Sequence, residues 1–369
     1  LYGSTVASDE LLTRVRTAAR GCDTAVTGHP ASTPATTFAE LARACEELGI
    51  DEWDFYGGGG AVARLEHELV ERFGVEAAAF FPSGVMAQQA ALRVHCDRAG
   101  SRRVALPDLS HLLVHEEDGP RILHDLEVSF LTQGFEVATA AHLEAVPGRL
   151  GAALVELPLR EAGCVLPTWD QLAELSAACR ARGVALHVDG ARIWEAQPWF
   201  ERSYADLASL ADSVYVSFYK GLGGLAGAAL LGPADVVAEA RLWRRRLGGT
   251  IYRSTAEAVA ALVGLRDRLP LIPETVAWAR AFAAALPAAL TPQPSVPQTN
   301  QFLLFAVGDA DDVNERTAAA IEEHGIGLPA WLPAQEPGRI RTEIVATQAA
   351  LTLDPAAMAA LVGGLVTHG

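Results

Sequence analysis

The sequence predicts an α/β protein: a large domain on a mostly parallel sheet covered by helices, then a smaller C-terminal α+β domain. Three observations point there. From about residue 100 to 232, short apolar runs alternate with helical patterns, as in strands joined by crossover helices. Beyond residue 265 the pattern changes to Pro-rich stretches around one strand of alternating polarity. The chain has 369 residues, half of them hydrophobic, which is more than one small domain needs. The expected division is an arm over 1–36, a large domain over 37–265 and a small domain over 266–369.

Residues 1–36 mix Thr, Ser, Ala, Gly and Pro and read as an arm leading into a helix over 38–48. After Tyr56-Gly57-Gly58-Gly59-Gly60, the recurrence of Leu65, Leu69 and Phe73 every four residues predicts a helix over 61–73. A short apolar strand over 77–81, the turn Pro82-Ser83-Gly84 and a helix over 86–96 come next. Further strands are expected over 103–106, 128–131, 152–157, 185–189, 213–218 and 228–231, with a helix over 169–182 between two of them. In the tail, Pro-rich residues 287–297 and the segment 328–338 punctuate a strand over 302–307, a helix over 312–324, a strand over 339–345 and a last helix over 355–366.

The formal net charge of −16 disfavours nucleic acid and anionic membrane as partners, leaving local arginines to hold small anions. Cys22, Cys45, Cys96, Cys164 and Cys179 are odd in number and lack any C-x-x-C pair. They read as isolated thiols and not as a zinc site or a disulfide framework, so cytoplasm is expected. No apolar run approaches the roughly 18 residues of a membrane-spanning helix.

The chemistry starts from a shortage. Of 29 basic residues 28 are arginine and one, Lys220, is lysine. Where arginine serves everywhere else, a retained lysine suggests a task that needs a neutral amine. Lys220 closes the strand Val214-Tyr215-Val216-Ser217-Phe218-Tyr219, and Asp189 closes the preceding one in His187-Val188-Asp189-Gly190-Ala191-Arg192. Ligands of open parallel sheets sit beyond such strand ends. Taken singly, Asp189 also reads as a helix cap and Lys220 as a loop lysine. Gly221-Leu222-Gly223-Gly224-Leu225-Ala226 fits a dinucleotide fingerprint, but residues 227–231 continue as a strand instead of opening a helix. His111 and His115 form an i, i+4 pair; Leu112 stands where a zinc protease has its glutamate, so no metal is expected.

Over residues 56–249 the chain resembles the threonine aldolase and β-eliminating lyase group of pyridoxal-phosphate (PLP) enzymes, which have the aspartate-aminotransferase-like fold type I. The resemblance is carried by Tyr56-Gly57, Phe81-Pro82-Ser83-Gly84, Ser110-His111 with Glu116, His187-Val188-Asp189-Gly190-Ala191-Arg192, Lys220-Gly221-Leu222-Gly223, and Trp243 with Gly248-Gly249. It implies that Lys220 holds PLP as a Schiff base and that Asp189 pairs with the pyridine nitrogen. Ser83, Gly84 and Val85 would take the phosphate at a helix N-terminus. His111 would stack on the ring and move protons, with His115 beside it at the substrate. Arg192 would bind the substrate carboxylate together with Arg341, Arg339 being its rival on the same strand face. Tyr56 would line the site, either its own or a neighbouring subunit's.

The reaction implied is cleavage of an L-β-hydroxy-α-amino acid of the threonine or allo-threonine type to glycine and an aldehyde, in a homodimer or homotetramer with shared sites. β-Elimination, or aldol/transaldol chemistry on a specialised amino acid, is the alternative. Four departures bear on this. Glu156-Leu157-Pro158-Leu159-Arg160-Glu161-Ala162-Gly163 replaces a family segment that contains a histidine. Tyr219 stands in place of serine, and Val85 in place of a hydroxyl residue. Tyr252, with Arg253 one position off, aligns with an arginine that reaches the partner subunit's phosphate.

Overall fold

The computed structural model describes residues 6–367 and divides into two compact units, Phe38–Pro270 and Leu1–Thr37 with Leu271–Gly369. The larger unit is built on a sheet of seven strands among the described residues: β1 (Ala77–Phe81), β2 (Arg103–Leu106), β3 (Glu127–Phe130), β4 (Ala152–Glu156), β5 (Ala185–Gly190), β6 (Ser213–Ser217) and β7 (Ala228–Gly232). Their spatial order is β1-β7-β6-β5-β4-β2-β3. Only β7 runs antiparallel to its neighbours. Every residue of β4, β6 and β7 is buried, so these strands lack polar alternation. The edge strand β3 exposes Glu127 and Phe130.

The helix Gly84–Ala99 starts two residues earlier than the sequence suggests. Ser83 caps it, its side chain accepting from the Met86 N–H at 3.3 Å, so Gly84 and Val85 lie in the first turn. The helix presents Ala87, Ala90, Ala91 and Val94 to Ala79, Phe81, Tyr215, Ala228 and Leu230. These small side chains let helix and sheet approach closely. At its first turn the approach excludes any side chain: a Cβ on Gly84 would lie 2.0 Å from the Tyr215 hydroxyl oxygen. Farther along, the helix Trp169–Arg182 is fixed by a capping box between Thr168 and Gln171, and it ends at Gly183 in the left-handed conformation.

The smaller unit contains a four-stranded antiparallel sheet in the order Leu332–Pro333, Arg339–Val345, Gln301–Val307, Thr291–Gln293. Arg339–Val345 alternates as expected, burying Ile340, Thr342 and Ile344. The core behind this sheet includes Phe282, Phe302, Val313, Ile321, Trp331 and Val362. Where the sequence reading has an arm, the structure has a helix, Val6–Arg20. Leu11, Val15, Ala18 and Ala19 fall on one face of it and pack into this same core. The Ser, Thr and Ala content obscures that spacing. The first five residues of the expected arm and the last two of the C-terminal domain lie outside the described residues.

Gly84→Ala tests the close approach of helix and sheet. Tyr215 is buried and cannot swing away, so the added methyl must push the helix start outward. We expect a loss of about 1–3 kcal/mol, read as a lower urea midpoint.

Candidate active site

The register of the parallel strands assembles the site. On β4 and β5, Glu156 stands opposite Asp189, and on β5 and β6, Asp189 stands opposite Tyr215. Both carboxyls are buried, at 6% and 4% exposure. Asp189 Oδ1 accepts from the Ala191 N–H at 2.9 Å. Burial pushes the Asp189 pKa up, and the nearby Lys220 ammonium opposes this. Lys220, three residues past β6, is half-buried. Burial pulls its amine pKa down; Asp189 counters, while Arg192 and Arg160 reinforce the fall. The amine is therefore more readily neutral than a solvated lysine.

Glu156 received no role in the sequence reading, yet it is central. Burial and the Asp189 charge push its pKa to about 8, against the His111 backbone N–H, which donates to Oε1 at 2.6 Å. That bond fixes the start of the short helix His111–Val114. The His111 Nδ1 lies 3.2 Å from Glu116 Oε1, and Glu116 Oε2 accepts from Gln89 Nε2 at 2.7 Å. Gln89 belongs to the helix capped by Ser83, so one chain of contacts ties the imidazole to the candidate phosphate-binding turn. His115, with its ring centre 5.0 Å from that of His111, places Nε2 2.9 Å from Glu161 Oε1. Arg160 Nη1 donates to the same oxygen at 2.6 Å.

Arg192 Nη1 donates to Glu195 Oε1 at 3.0 Å, while the buried Arg192 Nε has no hydrogen-bond partner. Glu195 is fully buried, and a Cβ on Gly221 would lie 2.2 Å from its Oε1. The turn after Lys220 is thus laid against this carboxylate. Trp194 Nε1 donates to the Ser217 carbonyl at 2.9 Å, pinning the following helix to the end of β6.

Structure brings Lys220, Asp189, Arg192 and His111 into one electrostatic group, with Ser83, Gly84 and Val85 linked to it through Gln89. Tyr56, also in the larger unit, packs against Tyr252. Its N–H donates to the Tyr252 carbonyl at 3.1 Å, and the two rings lie 5.3 Å apart. Arg253 lies over the Trp53 ring at 4.3 Å and the Tyr252 ring at 5.2 Å. Buried Asp54 holds this loop by accepting from the Ser254 N–H at 2.9 Å and the Thr255 hydroxyl at 2.6 Å. Arg339 and Arg341 belong to the smaller unit. Arg339 is engaged by Glu336 at 2.8 Å, whereas the Arg341 guanidinium has no such partner among the described residues.

Glu156 makes a pH-dependent prediction. Its carboxyl moves from 4.5 to about 8 on folding, so between these values the native state holds a proton that the unfolded state releases. Its contribution to stability is full below pH 4.5 and is lost as pH rises to about 8. Glu156→Gln removes that loss. The stability of the variant relative to wild type should rise from pH 5 to 8, by at most about 1.4 kcal/mol per pH unit. Urea unfolding of both proteins across this range checks it, and a flat difference would contradict the shift.

The chain matches the family described as beta-eliminating lyase over residues 33–308. It is 29% identical over 292 residues to the low-specificity L-threonine aldolase 1 of Arabidopsis thaliana, covering 74% of this chain and 80% of that protein. With the low specificity L-threonine aldolase of Escherichia coli K12 it shares 30% identity over 234 residues, covering 61% of this chain and 69% of the other. Among solved structures, a candidate L-allo-threonine aldolase from Listeria monocytogenes superposes with a TM-score of 0.89 at 31% identity, covering 96% of this chain and 99% of that one. A Sphingomonas wittichii serine palmitoyltransferase, at 18% identity and a TM-score of 0.66 over 89% of this chain and 82% of its own, shares the fold. The architecture is that of PLP fold type I, and the chain belongs to the beta-eliminating lyase family of enzymes, with the threonine aldolases among its relatives.

Proposed function

We propose that this chain is a PLP-dependent aldolase that cleaves an L-β-hydroxy-α-amino acid of the threonine or allo-threonine type to glycine and an aldehyde. The observation that carries the reading is the electrostatic pairing of half-buried Lys220 with buried Asp189 at the ends of neighbouring strands. The names of the relatives support the same reaction. The residues fit the cofactor: an amine with a lowered pKa, a buried carboxyl beside it, and a 16-residue helix whose first turn admits no side chain at Gly84.

When bound, PLP supplies an electron sink for the pair released from the Cα–Cβ bond. Lys220 provides the amine that attaches it. Asp189 would hold a proton on the pyridine nitrogen. The backbone N–H groups of Ser83, Gly84 and Val85 would bind the phosphate, aided by the helix dipole, with Val85 offering no hydroxyl. His111, fixed through Glu156 and Glu116, would lie against the ring. Arg192 has an unpartnered, buried Nε for the substrate carboxylate. His111 and His115 are the candidates to accept the β-hydroxyl proton.

A homodimer or homotetramer with shared sites belongs to the same proposal. Trp53, Phe55, Tyr56 and Tyr252 are each at least half exposed and form one aromatic patch with Arg253, a surface suited to a second copy. Cys22, Cys45, Cys96 and Cys179 are free thiols, which supports a cytoplasmic setting. No helix among the described residues is long and apolar enough to cross a membrane.

Borohydride treatment of the PLP-loaded protein should add the cofactor mass to the peptide containing Lys220, and L-threonine, L-allo-threonine or phenylserine should release aldehyde and glycine. Lys220→Ala should lose both the adduct and the aldehyde. An adduct that persists in the variant overturns the assignment of Lys220. An α-keto acid with ammonia as the products establishes β-elimination instead.

A further inference from the structure

The geometry points to a histidine–carboxylate dyad, His115 with Glu161, as the base that takes the substrate's β-hydroxyl proton, with Arg160 and Glu161 as its positioning residues. This rests on the aldolase reading above. His111 is assigned to the face of the cofactor ring instead: its backbone N–H donates to Glu156 and its Nδ1 faces the buried Glu116, which hold it there as a wall of the site. His115 stands one helical turn on. Its Nε2 is 2.9 Å from Glu161 Oε1, and its ring is 40% exposed.

The carboxylate makes the difference between a surface histidine and a poised base. Glu161 is only 17% exposed, and Arg160 Nη1 donates to the oxygen that faces His115. Arg160 Nη1 stands 3.5 Å from the same Nε2, but the Glu161 oxygen at 2.9 Å is the nearer partner and favours the tautomer with its proton on Nε2, leaving the Nδ1 lone pair to accept a proton. Arg160 is also among the charges that lower the Lys220 pKa, so the trio lies within Coulombic reach of that amine. Both positioning residues come from the 156–163 stretch that lacks a histidine. In this chain that stretch supplies a carboxylate and a guanidinium to the histidine of the facing short helix.

In the step assigned to the dyad, Nδ1 takes the hydroxyl proton. The O–H electron pair becomes the second bond of the aldehyde carbonyl, and the Cα–Cβ pair would be taken up by the electron sink that PLP supplies when bound. A proton delivered to the α-carbon completes glycine, and His115 returns to its neutral form by releasing its own. Atoms and charge balance without an added oxidant or reductant.

The test uses the PLP-loaded full chain with L-allo-threonine, and ¹⁵N NMR of the histidine rings. Wild type should show His115 protonated on Nε2, and Glu161→Ala should give mixed tautomers. His115→Asn should lower kcat by about a hundredfold or more with little change in KM. Glu161→Ala should lower kcat on the order of tenfold to a hundredfold, as expected for loss of an orienting partner. Glu161→Gln, whose amide oxygen still accepts from Nε2, should restore most of that loss, which a merely structural role for the charge would not predict. Wild type that releases no aldehyde overturns the aldolase reading and the dyad with it. Wild-type aldehyde release that Glu161→Ala and His115→Asn leave unchanged, in folded variants, overturns the dyad alone. An Nδ1-protonated His115 in wild type does so as well.

Discussion

Two buried carboxyls side by side are an unfavourable arrangement, and much of the larger unit is organised around it. Parallel pairing of β4 with β5 sets Glu156 against Asp189 where both strands end. Water is excluded from both, so neither charge is screened as it would be at the surface. The protein distributes the burden. Glu156 sits against a backbone N–H and retains its proton into the neutral range, while Asp189 is balanced by the Lys220 cation. Glu156 thus anchors the histidine loop at one strand end, while Asp189 faces the lysine turn at the other.

That division explains why the histidine loop and the lysine turn are held by different acids. Glu156 and Glu116 fix His111, whereas Glu195 fixes Arg192 and lies against Gly221. The connection between the two halves is the helix Gly84–Ala99. Its first turn touches Tyr215, next to Asp189 in register, and one turn later its Gln89 reaches Glu116. A displacement of this helix would therefore move the imidazole as well as the candidate phosphate-binding amides. Alanine and glycine along its inner face keep it close enough for both contacts.

The sheet, its helices and the pairing of Lys220 with Asp189 were legible because each depends on local pattern. Apolar runs of four to six residues are closed by a charged residue, and arginine elsewhere makes the single lysine conspicuous. Glu156 was within reach of the same strand-end rule, since it closes β4 as Asp189 closes β5. Its significance depends on a partner distant in sequence, because only the pairing of β4 with β5 sets it against Asp189. Glu161 and Arg160 were not legible as partners of His115. They lie about 45 residues away in sequence, and only the fold brings that loop opposite the histidines. The helix Val6–Arg20 is a different case: its apolar spacing was present, but Ser, Thr and Ala diluted it.

The contrast between these residues suggests where the chemistry can vary without loss of the scaffold. Asp189, Lys220 and Gly84 are constrained by burial, strand register and steric contact, so a change at any of them disturbs several neighbours at once. His115 faces Glu161, which accepts from Arg160, and the His115 side chain is the more exposed of the two, at 40% against 17%. Their geometry depends on the 156–163 loop, whose Leu159 and Ala162 form a small cluster with the following Val165 and with Leu109 and Val137. A loop with its own core can change its polar residues while keeping its path. On the proposed reaction, electron withdrawal would fall to the rigid strand ends, and handling of the substrate's β-substituent to a separately packed loop.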